Sequence, residues 1–377
     1  MRTSPLASIK IFLCGDVMIG RGVDQILPRP CDPRLYESAV HSAMDYVRLA
    51  EDATGEIRRP APPSYIWGAA LPAFERERPD ARVINLETSV TRSQAHVAKG
   101  INYRVSPENA ECLVAAGVDC CALANNHVLD WGRAGLLETL STLDRLKIKA
   151  AGAGRNLAEA WAPAIVDLAG KGRVVILSCA SVTSGVPRDW AATPEAPGVA
   201  LLPDLGEKSV ALVADRIARA RRPNDVVIVS LHWGPNWGFD VPQEQRRFAH
   251  RLIDQAQISV LHCHSSHHAK GIEVYRDRLI LYGCGDFLND YEGIAGYEEF
   301  RGDLALMYFA KVDAASGDLA ALEMTPLQIR HFQLVRPSRD DVAWLRDTLD
   351  RESRAFGARV EAAPNGGLAL SWTSNAA

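Results

Sequence analysis

The sequence predicts a layered α/β fold, and two observations support this. Short apolar runs alternate along the chain with amphipathic segments whose apolar residues recur at helical spacing. Six of the apolar runs also end on residues that bind metal ions or transfer protons. Because ligands of open α/β sheets bind beyond the carboxyl ends of the strands, these endings predict one polar site at a sheet edge.

The six apolar runs are predicted strands, and the segments between and after them are predicted helices. The strands cover 9–14, 81–84, 120–124, 226–231, 258–261 and 279–284, and helical spacing marks 107–117, 132–146, 208–222 and 243–257. A further helix is predicted within 337–360, with Ser338 as its N-cap and Asp341 completing a capping box.

The chain is expected to form one main domain over residues 1–335. Residues 28–79 and 181–203 do not fit the strand–helix alternation, and we interpret both as insertions over the strand ends that shape a substrate pocket. Residues 336–377 are predicted to form a C-terminal helix followed by a loose tail from Ala362.

Composition excludes several classes of function. The 377 residues are 47% hydrophobic, and their net charge of -4 is spread along the chain, which argues against a nucleic-acid partner. The apolar stretch within Met1–Gly15 is too short for a secretory signal or a membrane span, so a cytoplasmic protein without membrane attachment is expected. Gly152 and Gly154 lack the rest of a dinucleotide fingerprint, so no nucleotide cofactor is expected.

The eight cysteines mostly lie inside apolar runs and never form a Cys-x-x-Cys motif. This pattern predicts buried, reduced thiols and argues against a disulfide framework or a zinc knuckle.

Two carboxylates at strand ends are candidate ligands for a divalent cation. Asp16 alone would more often cap a turn, but Glu87 ends a second strand and shares one strand face with Asn85. A buried Glu87 would otherwise need a basic partner, for which Arg21, Arg92 and Arg104 are the alternatives.

Histidines supply the remaining candidates. His127 follows Asn125 and Asn126 and precedes Asp130, a combination typical of a proton-transfer unit, although the asparagines could instead stabilise a turn. His232 ends another strand, and residues 262–268 contain four more imidazoles. A single histidine would more often be structural, so the prediction of a metal site depends on the whole cluster.

Five motifs in order resemble the CapA, or poly-γ-glutamate capsule synthesis, family, which is similar to calcineurin-like metallophosphoesterases. They are Gly15-Asp16, Asn85-Leu86-Glu87, 124–132, 230–234 and 272–275. The resemblance covers roughly residues 10 to 310. It implies an α/β fold of the calcineurin-like metallophosphoesterase type, a sandwich of two mixed β-sheets flanked by helices.

The resemblance also implies roles for individual residues. Asp16, Glu87, Asn126, His232 and one residue of 262–268, taken as His264, correspond to metal ligands, and His127 corresponds to the proton donor. Met18 stands where a metallophosphoesterase usually has a histidine, and Ser265 replaces a histidine common in CapA proteins. These losses favour one divalent ion with mainly oxygen ligands, Ca²⁺, Mn²⁺ or Mg²⁺.

Within this resemblance, the CapA-like epimerase of lasso-peptide biosynthesis suggests a reaction. Inverting a Cα centre of a precursor peptide needs a base and an acid, for which His127 with Asp130, and His267 or His264 with Asp286, are the candidates. Trp131, Trp233, Trp237 and Arg21 are candidate contacts to the peptide substrate. The alternatives are a phosphoesterase-like hydrolase and a non-catalytic accessory protein of poly-γ-glutamate synthesis.

Overall fold

The computed structural model describes residues 8–373. Residues 1–7, which begin the Met1–Gly15 segment predicted to be too short for a secretory signal, and residues 374–377, the end of the predicted tail, lie outside the described residues. The strands are β1 (Ser8–Val17), β2 (Ala81–Leu86), β3 (Ser89–Val90), β4 (Arg104–Val105), β5 (Cys120–Ala122), β6 (Lys149–Ala151), β7 (Ala153–Gly154), β8 (Ala164–Leu168), β9 (Gly172–Ala180), β10 (Gly198–Val199), β11 (Val226–His232), β12 (Val260–His264), β13 (Ile272–Tyr275), β14 (Arg278–Leu281), β15 (Asp286–Leu288), β16 (Leu304–Asp313), β17 (Leu319–Arg330), β18 (Gln333–Val335), β19 (Ala358–Ala362) and β20 (Leu368–Trp372).

The α-helices are α1 (Arg21–Ile26), α2 (Ala43–Thr54), α3 (Ala70–Glu77), α4 (Glu111–Ala115), α5 (Gly132–Arg145), α6 (Leu157–Ala160), α7 (Glu207–Ala220), α8 (Gln243–Ala256) and α9 (Arg339–Arg354). All six predicted strands and all five predicted helices are confirmed. The capping box is confirmed as well, because the Ser338 side chain accepts from the Asp341 backbone N–H while the Asp341 carboxylate accepts from the Ser338 backbone N–H.

Two mixed sheets form the centre of the protein. The larger has the order β19-β20-β17-β16-β1-β2-β5-β6, with β15 beside the end of β1 and β18 beside β17. The smaller has the order β13-β14-β12-β11-β9-β8. In each sheet a parallel centre, β1-β2-β5-β6 or β9-β11-β12-β14, continues into antiparallel strands.

The sheets pack face to face, and helices cover their outer faces. Successive side chains of β1 point to opposite faces of the larger sheet. Ile11 lies in the core between the sheets, whereas Phe12 packs outward against Phe74 of α3. On the smaller sheet, Ile228 points inward and Val229 packs outward in the cluster formed with α7 and α8. This arrangement confirms the predicted α/β sandwich of two mixed sheets flanked by helices.

The cysteines and the helices bear on two further expectations from the sequence. All eight cysteines are buried and free, which confirms the prediction of reduced thiols. Within residues 8–373, every helix is too short or too polar to span a bilayer.

The prediction of a loose tail from Ala362 is wrong for residues 362–372. β19 and β20 form an antiparallel hairpin, and β20 pairs with β17 through Met324 and Leu368. The tail is ordered because Leu368, Leu370 and Val360 are buried in the core between the sheets. The short alternation in this segment was too weak to separate a strand from a loop by sequence alone.

This packing predicts that the tail contributes to stability. Leu368→Ala should lower the free energy of unfolding by about 2–5 kcal/mol, because it removes a fully buried side chain. Chemical denaturation is the measurement, with Leu137→Ala on the exposed face of α5 as the control. Equal, small effects of the two variants would show that the hairpin does not pack as described.

Candidate metal centre

The site lies where the carboxyl ends of strands from both sheets meet. In the larger sheet Asp16 is in register with Asn85 on one side and with Asp286 on the other. In the smaller sheet His232 is in register with His264. A close approach of two glycines brings β15 to this edge: a Cβ on Gly15 would lie 1.7 Å from the Gly285 carbonyl oxygen, and the Asp16 N–H donates to that oxygen at 2.9 Å.

Two carboxylates are buried together at this edge. Asp16 and Glu87 are at most 1% exposed, and the Asn85 amide donates to both, at 2.7 Å to Asp16 Oδ1 and 3.1 Å to Glu87 Oε2. Burial and the neighbouring Asp286 raise the pKa of Asp16 to about 7, and burial together with Asp16 raises the pKa of Glu87 well above its usual value. A cation would relieve this unfavourable burial of negative charge.

A chain of hydrogen bonds behind the site defines the tautomer of His264. His262 Nε2 must donate to the Cys14 carbonyl oxygen at 2.7 Å, and burial lowers the pKa of His262 to about 4, so its Nδ1 carries a lone pair. The Ser230 hydroxyl therefore donates to His262 Nδ1 at 3.2 Å and accepts from His264 Nε2 at 2.8 Å. His264 Nδ1 is then the unprotonated nitrogen.

The same reasoning applies to His232. Its Nε2 donates to Asn126 Oδ1 at 3.0 Å, and burial lowers its pKa well below the usual value, so Nδ1 carries the lone pair. The Nδ1 atoms of His232 and His264 lie 2.7 Å apart, each 3.9 Å from a carboxylate oxygen, of Glu87 and Asp16 respectively. Two facing lone pairs beside two carboxylates form a donor set that fits a divalent cation.

The structure places four of the predicted ligands close together, Asp16, Glu87, His232 and His264, whereas Asn126 contacts a ligand. Asp16, His232 and His264 each offer one ligand atom, and these atoms lie within 4.8 Å of one another. Glu87 lies beside this group. Asn126 contacts it through His232, so in this geometry the Asn126 amide oxygen orients a ligand by accepting its Nε2–H.

A second group of possible ligands shares Asp16. Asp16, His267 and Asp286 also place one ligand atom each within 4.8 Å. His267 Nδ1 lies 2.8 Å from Asp286 Oδ1, and Asn289 donates to Asp286 Oδ2 at 2.8 Å. His267 and Asp286, interpreted from sequence as a proton-transfer pair, are thus positioned either for that role or to hold an ion next to the first. Burial lowers the pKa of His267, but attraction to Asp286 and Asp16 outweighs this and raises it overall.

His127 and Asp130 form the other predicted pair. His127 Nδ1 lies 2.7 Å from Asp130 Oδ2, which leaves Nε2 facing Glu87 Oε1 at 3.9 Å. Lys99 donates to Asp130 Oδ1 at 2.8 Å and to the backbone oxygen of Asn126. Burial lowers the pKa of His127 to about 4; Asp130 opposes this shift and Lys99 adds to it. The neutral imidazole is therefore favoured, with Nε2 free to accept a proton.

Sequence reasoning assigned no role to Lys99 or Ser230, which contact residues of the candidate site. Lys99 follows β3 in a loop without apolar periodicity, and no sequence signal marks it. Ser230 could have been found, because it lies two residues before His232 and so shares its strand face.

The four predicted substrate contacts have different environments. Trp233 lies in the core, stacked on Tyr282 at 6.3 Å, and its indole N–H donates to the Tyr282 carbonyl oxygen. Trp131 is buried beneath the Arg104 guanidinium, 3.8 Å from the ring centroid. The packing gives both rings structural partners.

Arg21 and Trp237 line a cavity of about 670 Å³ that extends from His267. The Arg21 guanidinium is already held by Asp290, at 2.5 and 3.1 Å, and by Glu37 at 3.1 Å. Trp237 is only partly buried, and its ring centroid lies 5.3 Å from that of His267. Of the four residues, Trp237 is therefore the best placed to contact a substrate.

The donor set predicts that metal binding depends on Asp16 and His232. Asp16→Asn and His232→Ala should each lose most of the bound divalent metal, because each removes a ligand from the group around His264. Elemental analysis after dialysis against Mn²⁺ is the measurement, with His41→Ala, a surface histidine, as the control. Unchanged metal content in Asp16→Asn would contradict the site.

The hydrogen-bond chain predicts that Ser230 affects the affinity for the metal without binding the metal itself. Ser230→Ala should weaken metal affinity by about 10- to 100-fold, because His264 loses the acceptor that fixes its tautomer. Calorimetric titration of Mn²⁺ gives the affinity, and Ser141→Ala on the surface of α5 is the matched control. Wild-type affinity in Ser230→Ala would mean that the tautomer is set in another way.

Comparisons with known proteins identify the family. The family described as "Bacterial capsule synthesis protein PGA_cap" matches residues 10–291. A protein of Mycobacterium tuberculosis named "Probable polyglutamine synthesis accessory protein" is 46% identical over 359 residues, covering 95% of this chain and 94% of that protein. The "PGA biosynthesis protein CapA" of Bacillus subtilis is 26% identical over 247 residues, covering 65% of this chain and 60% of that protein.

A solved structure, that of a phosphatase from Mycoplasma pneumoniae, aligns with a TM-score of 0.47 at 13% identity, covering 88% of this chain and 96% of that one. The family match spans most of the sandwich and contains every candidate ligand and both His–Asp pairs. The chain therefore belongs to the bacterial capsule synthesis family PGA_cap.

Proposed function

We propose that the protein is a metal-dependent enzyme that transfers protons on a peptide substrate, with inversion of a Cα centre as its reaction. The observation that carries this proposal is that two His–Asp pairs meet at one carboxylate cluster. His127 Nε2 faces Glu87, while His267, Asp286 and Asp16 each place one possible ligand atom within 4.8 Å of the others. Epimerisation needs two such groups, one to remove the Cα proton and one to deliver a proton.

The residues around the two His–Asp pairs support different roles for them, one as the base and the other as the acid. Asp130 accepts from His127 Nδ1, from Lys99 and from the Tyr103 backbone N–H at 2.6 Å, so His127 is held with Nε2 as a base. His267 is the pair member that reaches the cavity, where it lies next to Tyr291. We assign proton removal to His127, the reverse of the donor role that the family resemblance implies, because its pKa is lowered to about 4, and proton delivery to His267, whose pKa is raised.

Asp16, His232 and His264 would hold the divalent ion, with Glu87 beside them. A bound divalent cation supplies Lewis acidity that polarises a substrate carbonyl or carboxylate and stabilises enolate charge. Asn85, Asn126 and Ser230 act on the ligands, by holding the two carboxylates and by fixing the two imidazole tautomers.

The peptide nature of the substrate is supported by the relatives. One is named for polyglutamine synthesis and another for PGA biosynthesis, so both names refer to polymer synthesis. A residue of such a chain, or of a ribosomal lasso-type precursor peptide, offers a Cα proton next to a carbonyl group.

Phosphoesterase-like hydrolysis is the second candidate. Asp16 belongs to both groups of possible ligands, so this carboxylate could bridge two ions. Paired ions of this kind clamp the attacking and leaving oxygens in phosphoryl transfer.

Deuterium exchange distinguishes the two reactions. The Mn²⁺-loaded protein is incubated in deuterium oxide with capped peptides and, separately, with poly-γ-glutamate, and Cα deuterium is measured by mass spectrometry. Exchange that depends on the metal supports epimerisation. Turnover of a phosphodiester without Cα exchange in any peptide would overturn it in favour of hydrolysis.

The proton-transfer assignment gives a mutational prediction. His127→Ala should lower the exchange rate by about 10²- to 10⁴-fold, because it removes the base, while metal content stays at the wild-type level. Lys99→Met should cause a smaller loss, because it removes a partner of Asp130 and of the Asn126 backbone oxygen but leaves the base in place. Lys208→Met on the surface of α7 is the control. Full activity in His127→Ala would exclude it as the base.

A further inference from the structure

We infer that the cavity next to His267 binds a bulky apolar side chain of the peptide, and that it selects such peptides over a continuous run of glutamates. This inference rests on the proposed function, because it takes the substrate to be a peptide that reaches His267. It assigns a substrate class from the lining of the cavity and the placement of its charges.

The mouth of the cavity is unusually apolar for a surface. Ile101, Ile294 and Tyr297 all line it, and they are 44%, 47% and 51% exposed, which places three of the most exposed large apolar side chains of the described residues around one opening. Apolar groups gathered in this way, rather than scattered singly, mark binding sites.

An aromatic wall leads from the mouth to the site. Tyr297 stacks on Trp237 with ring centroids 4.2 Å apart and planes within 4°, and Trp237 lies 5.3 Å from the His267 ring. A side chain lying on this wall would place its peptide backbone near the proposed acid. The cavity volume of about 670 Å³ is sufficient for a large side chain together with neighbouring backbone.

The charges of the lining do not favour a polyanion. Three arginines line the cavity, Arg21, Arg301 and Arg330, together with the three acidic residues Glu292, Glu298 and Asp303. Two of the arginines already have carboxylate partners: Arg21 pairs with Asp290 and Glu37, and Arg301 pairs with Asp303 and Asp341. A run of glutamates would therefore meet no excess of positive charge.

Binding to a variant that cannot turn over the substrate tests this inference. His127→Ala loaded with Mn²⁺ is titrated by calorimetry with capped Gly-Gly-Xaa-Gly-Gly peptides, where Xaa is Phe, Leu or Glu, and with a short γ-glutamate oligomer. The Phe and Leu peptides should bind about 10-fold more tightly than the Glu peptide or the oligomer.

Substitutions at the mouth of the cavity test whether the preference for apolar peptides arises there. Tyr297→Ala and Ile294→Ala, both of exposed residues, should remove most of the difference. Tyr36→Ala should leave it intact, because Tyr36 is also exposed, at 41%, but stacks on His96 outside the cavity lining. Equal or tighter binding of the Glu peptide or the oligomer would overturn the inference, as would an equal loss in Tyr36→Ala.

The two proposals fail in different ways. Selective binding of apolar peptides without any Cα exchange in the wild type would refute the proposed reaction and leave the binding preference standing. Cα exchange at equal rates in all peptides, with no selectivity in binding, would refute the preference alone.

Discussion

The structure depends on the burial of two carboxylates and two imidazole lone pairs in one cluster, at the edge where the two sheets meet. Asp16 and Glu87 share the amide of Asn85, and the Nδ1 atoms of His232 and His264 face each other beside them. Each of these groups is costly to bury alone, and together they repel one another. A divalent cation turns the same groups into a ligand set, so the geometry is best understood as built for one.

Residues from both sheets form this buried cluster. The larger sheet supplies Asp16, Asn85, Glu87 and Asp286, and the smaller sheet supplies His232 and His264. The hydrogen bond from His262 to the Cys14 carbonyl oxygen links β12 to β1, so the chain that sets the His264 tautomer also joins the two sheets. The register of the sheets, the close contact of Gly15 with Gly285 and the chemistry of the ligands are therefore coupled. Around this centre lie the two His–Asp pairs, and the cavity extends from His267.

Much of this arrangement could be predicted because the polar residues that follow apolar runs mark the ends of strands in the sequence. The ends of apolar runs correctly indicated Asp16, Glu87 and His232 as neighbours. Asp286 was predicted from the run that contains β14, but it begins β15, which pairs with β1 of the larger sheet. Other features depend on contacts between distant segments. Lys99 lies in a loop without periodicity, and Trp233 resembles a site residue in sequence although the fold places it in the core. The hairpin from Ala358 to Trp372 is ordered by pairing with β17 and by burial of its apolar side chains between the sheets.

The most direct test of the central claim is the anomalous scattering of crystals soaked in Mn²⁺. A peak among Asp16, His232 and His264 is expected, and a second peak beside His267 and Asp286 would show that Asp16 bridges two ions. An ordered protein with no peak at this edge, at Mn²⁺ concentrations that saturate binding in solution, would contradict the account.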